Sequence, residues 1–400
     1  MTAPQADPAW RADERYARVA LSFLADPGDV VVGALLRSQT AAELLAGLRS
    51  GDAEIWPIMS AARASDPAGE ATRVSATAVR HAMERMRTRL DRVPSPGRLE
   101  VWERSGLRLV CPDEPEWPTQ LDDLGDARPI VLWVRGRADL RFACLRSVSI
   151  VGSRAATAYG SVVGTEIAAD VAARAVSVIS GGAYGIDACA HRGALAAGGS
   201  TIAVLASGLC FGYPKGHFEL FATISQTGLT VSESPPDHVP NRPGFLVRNR
   251  LIAALSRGTV VVEAAMRSGA LNTARHASDL NRLVMAVPGP VTSAQSAGCH
   301  QLIRDGGAVC VTGAADVIEL ITPLDEPGAA PDVSLAVPPA DLDPVTAAVL
   351  RTLTGRAGRG PATIATLSGV DLDTAMRCLG LLSAAGYAER CDKGWRARRI

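Results

Sequence analysis

SVSIVGSRAATAYG, residues 147–160, runs from a short β-branched segment through Gly152-Ser153-Arg154 into an alanine-rich segment that starts a helix. A buried strand, a tight turn and a helix N-terminus form the place where an α/β domain holds phosphate. The helix end offers unpaired amides and a partial positive charge. This turn lacks the three spaced glycines of a dinucleotide site. It predicts an anion-binding edge for a phosphate of another kind.

The same grammar repeats along the chain. Residues 129–136, 175–180, 201–208, 229–234, 259–264, 282–289 and 308–313 are further short apolar runs, preceded by LRLVCP at 107–112. Alanine-rich helical patterns separate them. Strands alternating with helices at this spacing predict a doubly wound parallel sheet over residues 101–322, with ligands at the carboxyl ends of the strands. Residues 1–100 carry apolar positions at helical spacing broken by DPGD and SPGR, and are expected to form a helical accessory domain. Residues 323–343, rich in Pro, Ala and Asp, are expected to be a linker. Residues 344–400 give three helical patterns and a basic hairpin, the order of a winged-helix module.

Composition narrows the partners. The chain has 400 residues, 47% hydrophobic, with 41 basic and 41 acidic side chains, so no global field selects nucleic acid or membrane. Lys215 and Lys393 are the only lysines. The eight cysteines are scattered, without CxxC or zinc spacing, and no apolar stretch reaches the ~20 residues of a membrane span. The N-terminus carries acids before its first apolar run, unlike a signal peptide. A cytoplasmic location with reduced thiols is expected.

Four turns should meet at the carboxyl edge: Gly152-Ser153-Arg154, then SGGAYGID (Ser180–Asp187), SGLCFGYPKGHF (residues 207–218) and RSGALNTARH (Arg267–His276). One such turn is explained equally well by tight strand-to-helix packing. Several on one edge point to an anionic ligand. Seven of the eleven Phe and Tyr residues fall between Tyr159 and Phe245. Beside a phosphate track such rings stack unpaired bases, and otherwise they fill the core. Seven arginines lie between Arg242 and Arg282 against Glu263 and Asp279, serving either a nucleic-acid backbone or a solvated helix face. Asp187 and His191 sit i, i+4 without a third ligand, and Glu263 either binds a ribose or caps a turn. No nucleophile, base and oxyanion donor assemble, so the protein is not expected to be an enzyme.

Together SIVGSR…YG, VISGGAYGIDACAHRGAL, AVLASGL…YPKGH, SESPP…P…F…RNRLIAALS, TVVVEA…SGALNTA, AVPGP and LIRDGGA resemble the DNA-processing (DprA/Smf) family, in order, over residues 100–320. The resemblance implies an extended Rossmann-like domain that binds and protects single-stranded DNA and loads the recombinase RecA onto it during natural transformation. It also implies a homodimer through that domain and no cofactor. Carried over by motif, Gly152, Ser153 and Arg154 form a phosphate-binding turn, and Ser180, Gly181, Gly182 and Ala183 a backbone anion cradle. Lys215 is a phosphate-binding lysine, Phe218 a base-contacting aromatic, and Arg248, Asn249 and Arg250 the RNR segment, with Ser268 and Gly269 at the fourth turn. Cys210, His217, Leu246, His300 and Gly307 depart from the family's usual Asp, Asn, Pro, Asn and Ala, which touches local turn geometry.

Two rival readings stand beside it. A Rossmann-like nucleotide-binding or nucleotide-hydrolysing protein of the phosphoribohydrolase type would carry PGGxGT followed by a glutamate. Here Glu263 precedes the turn, which reads MRSGALNT. A transcription regulator would read duplex bases with its last helix, but that helix begins Asp371-Leu372-Asp373 and offers only Arg377.

Overall fold

A computed structural model describes residues 9–50, 74–322, 343–353, 358–384, 387–391 and 394–397. Most of the expected linker, residues 323–342, and Lys393, Arg398 and Arg399 of the basic hairpin lie outside the described residues. The chain divides into two compact units, Met1–Pro323 and Leu324–Ile400.

The first unit opens with helices α1 (Ala9–Leu24), α2 (Val30–Ser38), α3 (Ala41–Ser50), α4 (Ala76–Arg87) and α5 (Pro96–Arg104). Asp29 caps α2 by accepting from Val31 and Val32 amides, and Ser75 caps α4 through Ala78 N–H. Leu21, Leu24, Leu35, Leu44, Leu48 and Met86 form their common core. The helices also close on the sheet. Phe23 stacks on Trp102 at 5.9 Å, and Trp102 meets Trp133 of the sheet edge-on at 5.5 Å. The helical segment and the sheet therefore fold as one compact unit.

Nine strands follow: β1 (Leu107–Val110), β2 (Leu132–Gly136), β3 (Ser147–Val151), β4 (Ser177–Ser180), β5 (Thr201–Leu205), β6 (Leu229–Ser232), β7 (Gly258–Val261), β8 (Leu283–Ala286) and β9 (Val309–Cys310). Their order is β1-β2-β6-β5-β4-β3-β7-β8-β9. From β6 to β9 every pair is parallel, while β1 pairs with β2 and β2 with β6 antiparallel. The sheet is thus mostly, not wholly, parallel.

Helices α6 (Leu140–Leu145), α7 (Ala158–Ala173), α8 (Ile186–Ala196), α9 (Phe218–Thr227), α10 (Arg242–Leu255), α11 (Gly269–Asp279), α12 (Ala297–Arg304) and α13 (Ala314–Ile321) pack on its two faces. On one face Val148, Ile150, Val178 and Val260 meet Ile167, Val171, Ile186 and Val317. On the other Val151, Ile179, Val204 and Val261 meet Leu251, Leu255 and Ala274. Burial on both faces explains why these strands read as unbroken apolar runs. The winding reverses between β3 and β7, so the loops after those strands flank the switch-point crevice.

His191, inside α8, is fully buried and donates from Nδ1 to Thr201 Oγ1 at 2.7 Å, because the Thr201 hydroxyl itself donates to Val178 O. Its Nε2 has no hydrogen-bond partner among the described residues. Burial, with His217 and Arg248 as further causes, pulls the imidazole from 6.5 down to about 3. The unfolded chain therefore binds the extra proton first as pH falls below 6.5, and stability drops in the window between those values. Stability is expected to fall by about 2 kcal/mol between pH 7 and 5 from this group. Thermal melts should show it, and His191→Asn should flatten the dependence. An equal slope in the variant would assign it to other groups.

The second unit has helices α14 (Pro344–Thr352), α15 (Pro361–Ser368) and α16 (Leu372–Ala384) and an antiparallel hairpin, β10 (Ala388–Cys391) with β11 (Gly394–Ala397). Val349, Ile364, Leu379 and Leu382 fill its core, and Arg359 bridges to Trp395.

Candidate nucleic-acid interface

The turn after β3 is built to project one cation. Ser153 is buried, its hydroxyl accepting from Ala155 N–H at 3.1 Å and its carbonyl from Ile186 N–H at 3.1 Å. A Cβ at Gly152 would strike Ile186, so the turn can lie against α8 only as glycine. Arg154 is left outside, with its guanidinium 4.9 Å above the ring of Phe245 from the first turns of α10.

The SGGAYG turn after β4 locks onto this one. Gly185 has φ +78°, and a side chain there would collide with the carbonyls of Ser153 and Arg154. Ser180 donates to Ile150 O at 2.6 Å. The amides of Gly181 and Ala183 donate to Asp187 Oδ2 at 3.1 and 3.3 Å. Arg248 reaches under the same turn from α10, donating to Gly181 O at 2.5 Å and to Val204 O. His217 Nδ1 meets Gly182 O at 3.0 Å. The anticipated backbone cradle already holds an anion, the protein's own Asp187 carboxylate. What the turn presents outward is Tyr184, 52% exposed.

Burial sets the electrostatics beneath it. Asp187 is pushed above the usual carboxylate range by burial, against the pull of Arg248 and the amides. Burial likewise brings the Arg248 guanidinium down to about 10, with Asp187 opposing. For both groups desolvation outweighs the attraction between the two buried charges.

The loop after β5 supplies the second cation. Ser207 Oγ accepts from Tyr213 N–H at 3.1 Å, and the Tyr213 ring lies 5.5 Å from Phe245. Lys215 is exposed in a single 3₁₀ turn, Lys215–His217. Tyr184 packs edge-on against His217 at 4.6 Å. Phe218 begins α9 and is 61% exposed, whereas Phe221, one turn on, is buried. Arg154, Phe245 and Tyr213 thus stand in one row, and exposed Lys215 and Phe218 follow Tyr213 in the adjoining turn, where Tyr184 packs on His217.

Among the remaining expected residues, those of the RNR segment do not reach the exposed surface of this edge. Arg248, Asn249 and Arg250 are buried. Arg250 pairs with Glu233 at 2.8 Å and donates to Ala127 O at 2.9 Å, so its charge is spent inside the protein. Asn249 donates to Gly269 O at 3.2 Å. Ser268 caps α11 through Ala270 N–H, and Gly269 begins that helix. Glu263 accepts from Thr157 N–H at 3.0 Å and from its hydroxyl at 2.6 Å, capping the entry to α7 as one of its two expected roles. Sequence reading did not assign Asp187 to the turn amides or Phe245 to the face of Arg154. The signal for the first was an acid six residues beyond Gly181, in the first turn of α8, where an acid meets free amides.

Comparison with known proteins agrees with this architecture. Residues 108–322 match the family described as DNA recombination-mediator protein A. The putative DNA processing protein DprA of Mycobacterium tuberculosis H37Rv is 45% identical over 316 residues, covering 75% of this chain and 79% of that protein. DNA processing protein DprA of Streptococcus pneumoniae R6 is 40% identical over 203 residues, 50% of this chain and 70% of its own. The X-ray structure of DprA from Streptococcus pneumoniae superposes with a TM-score of 0.58 at 28% identity, covering 77% of this chain and 97% of that one. With more than half its length inside the family's match and its sheet shared with a solved member, this chain belongs to the DprA/Smf family of DNA-processing proteins.

Proposed function

We propose that this protein binds single-stranded DNA across the Arg154–Lys215 cluster and delivers it to the recombinase RecA, without catalysis and without a cofactor. The observation that carries this reading is the pairing of two exposed cations with four partly exposed rings at the carboxyl edge of the sheet. Cations hold phosphates, and rings stack bases that are free of a duplex partner. Family membership supports the DNA-processing role, and recombinase loading extends it. On the same reading the protein is cytoplasmic and dimerises through its Rossmann-like domain, with residues 1–100 as accessory helices and 101–322 as the DNA-binding domain. The 323–343 segment is then the linker and residues 344–400 a winged-helix module. Among the described residues no helix is long and apolar enough to cross a membrane.

Fluorescence anisotropy with a labelled single strand and its duplex, across a salt series, tests this reading. Preference for the single strand is expected. Two phosphate contacts predict a log–log salt slope of about −1.4. Equal affinity for the duplex would redirect attention to the second unit. A chain ending at Pro323, the boundary of the first compact unit, is expected to keep most of the affinity. A folded truncation that no longer binds would place the site in the C-terminal unit instead.

A further inference from the structure

A cavity of about 530 Å³ lies between the helical segment and the strap that follows β6. Phe23, Asp91, Arg92, Pro94 and Arg98 line it on one side, Asp237 and His238 on the other, so the rim carries both signs of charge. It is within the size range of small-ligand sites, and its mostly polar and charged lining is interrupted by the apolar faces of Phe23, Pro94 and Val239. Arg98 is committed, bonded to Asp237 at 2.6 Å and lying 5.1 Å over Trp102. Arg92 is exposed and makes no ion pair among the described residues. Burial holds the His238 imidazole below its ordinary range, so at neutral pH it can both donate and accept.

The cavity adjoins the cation–aromatic cluster through two segments. Gly208 N–H donates to His238 O and Cys210 N–H to Pro236 O, each at 2.9 Å, and the charges of Asp237 and Arg98 act on the Cys210 thiol. From Cys210 the loop continues through exposed Phe211 and Tyr213 to Lys215. The strap itself leads into α10, whose Phe245 covers Arg154. Val239 and Phe245 are separated by three extended residues and three helical rises, a span of at most about 15 Å.

We propose that this cavity receives an unstacked base of the same DNA strand that crosses Arg154 and Lys215, with the adjoining phosphate facing Arg92. The proposal rests on the single-strand reading above. Phe23 and Pro94 give a base an apolar face, while Ser95 and His238 offer hydrogen bonds to its edge.

The test uses the full-length protein and labelled dT oligonucleotides of about 5 and about 20 nucleotides, chosen around the ~4–16-nucleotide footprints of single-strand sites. Arg92→Ala removes the rim charge. Ser95→Trp fills the cavity from an exposed position that makes no side-chain cap to α5. Both variants should bind the short strand like wild type and the long strand at least about fivefold more weakly, the lower bound for one stacked base. Arg154→Ala should weaken both lengths. If Arg154→Ala weakens both while the cavity variants bind the long strand normally, the cavity proposal fails alone. If Arg154→Ala binds both lengths normally, the phosphate-site reading fails and takes this extension with it. Binding of free dTMP that Ser95→Trp abolishes, with long-strand affinity unchanged, would overturn the strand assignment in favour of a free nucleotide.

Discussion

Replacing Arg248 with alanine is expected to destabilise the first unit by about 3–5 kcal/mol, the cost of leaving two buried carbonyls without a donor and a buried acid without its counter-charge. Arg248 is 6% exposed, and its guanidinium donates to Gly181 O, Val204 O and Asn249 Oδ1 while its charge acts on Asp187. Without it Asp187 remains buried with only the turn amides and Ser180 to offset its charge, and two buried carbonyls lose a donor. For a unit of this size the loss corresponds to a fall in melting temperature of roughly 10 °C. Asp187→Asn combined with Arg248→Met removes both charges and should recover part of the loss, because no uncompensated ion is left behind. A melt of Arg248→Ala within about 1 °C of wild type would mean that the clamp contributes nothing to stability.

The same residue marks where the sequence could be read and where it could not. Each of the apolar runs placed at 107–112, 129–136, 147–152 and onward to 308–313 contains a strand; for the central strands burial on both faces imposes the continuous apolar stretch, whereas edge strand β9 is exposed. Direction was not legible. An apolar run looks the same parallel or antiparallel, and β2 inserts beside β6 in the opposite sense to the strands that follow. Arg154 and Lys215 were legible as exposed cations because each lies in a turn after a strand, where side chains point to solvent.

The burial of Arg248 was not legible in the sequence for a physical reason. Arg248, Leu251 and Leu255 are spaced three and four residues apart, so they share the face of α10 that meets the sheet. A local charge count cannot distinguish that face from the outer one. Likewise SGGAYG reads as an empty anion nest, since glycines advertise approach without saying what approaches. Asp187 supplies the answer from within the chain. Its carboxylate fixes the turn's pose and leaves Tyr184, Arg154 and Lys215 exposed.

Arg154→Ala and Lys215→Ala are each expected to weaken single-strand binding by roughly 10- to 100-fold, the equivalent of losing a charge-assisted contact of about 1.5–3 kcal/mol. Each should also make the salt slope shallower by about 0.7, since one fewer phosphate is neutralised. Neither should threaten folding. Both side chains are exposed, and the bond forgone at Arg154 is a cation–π contact with Phe245 worth about 0.5–1 kcal/mol. Arg154→Lys separates the two functions of that guanidinium. It preserves the charge, and hence the salt slope, but gives up the planar face that lies over Phe245 and the forked donor that grips a phosphate. Its affinity should fall between wild type and Arg154→Ala while its slope stays near wild type. Tyr213 packs against the far neighbour in this row, so loosening Phe245 also frees the ring next to Lys215. The double variant Arg154→Ala, Lys215→Ala should then lose less than the product of the single effects if that shared ring couples the two cations, and the full product if they act independently. Both singles binding like wild type, with unchanged slopes, would remove phosphate recognition from this edge of the sheet altogether.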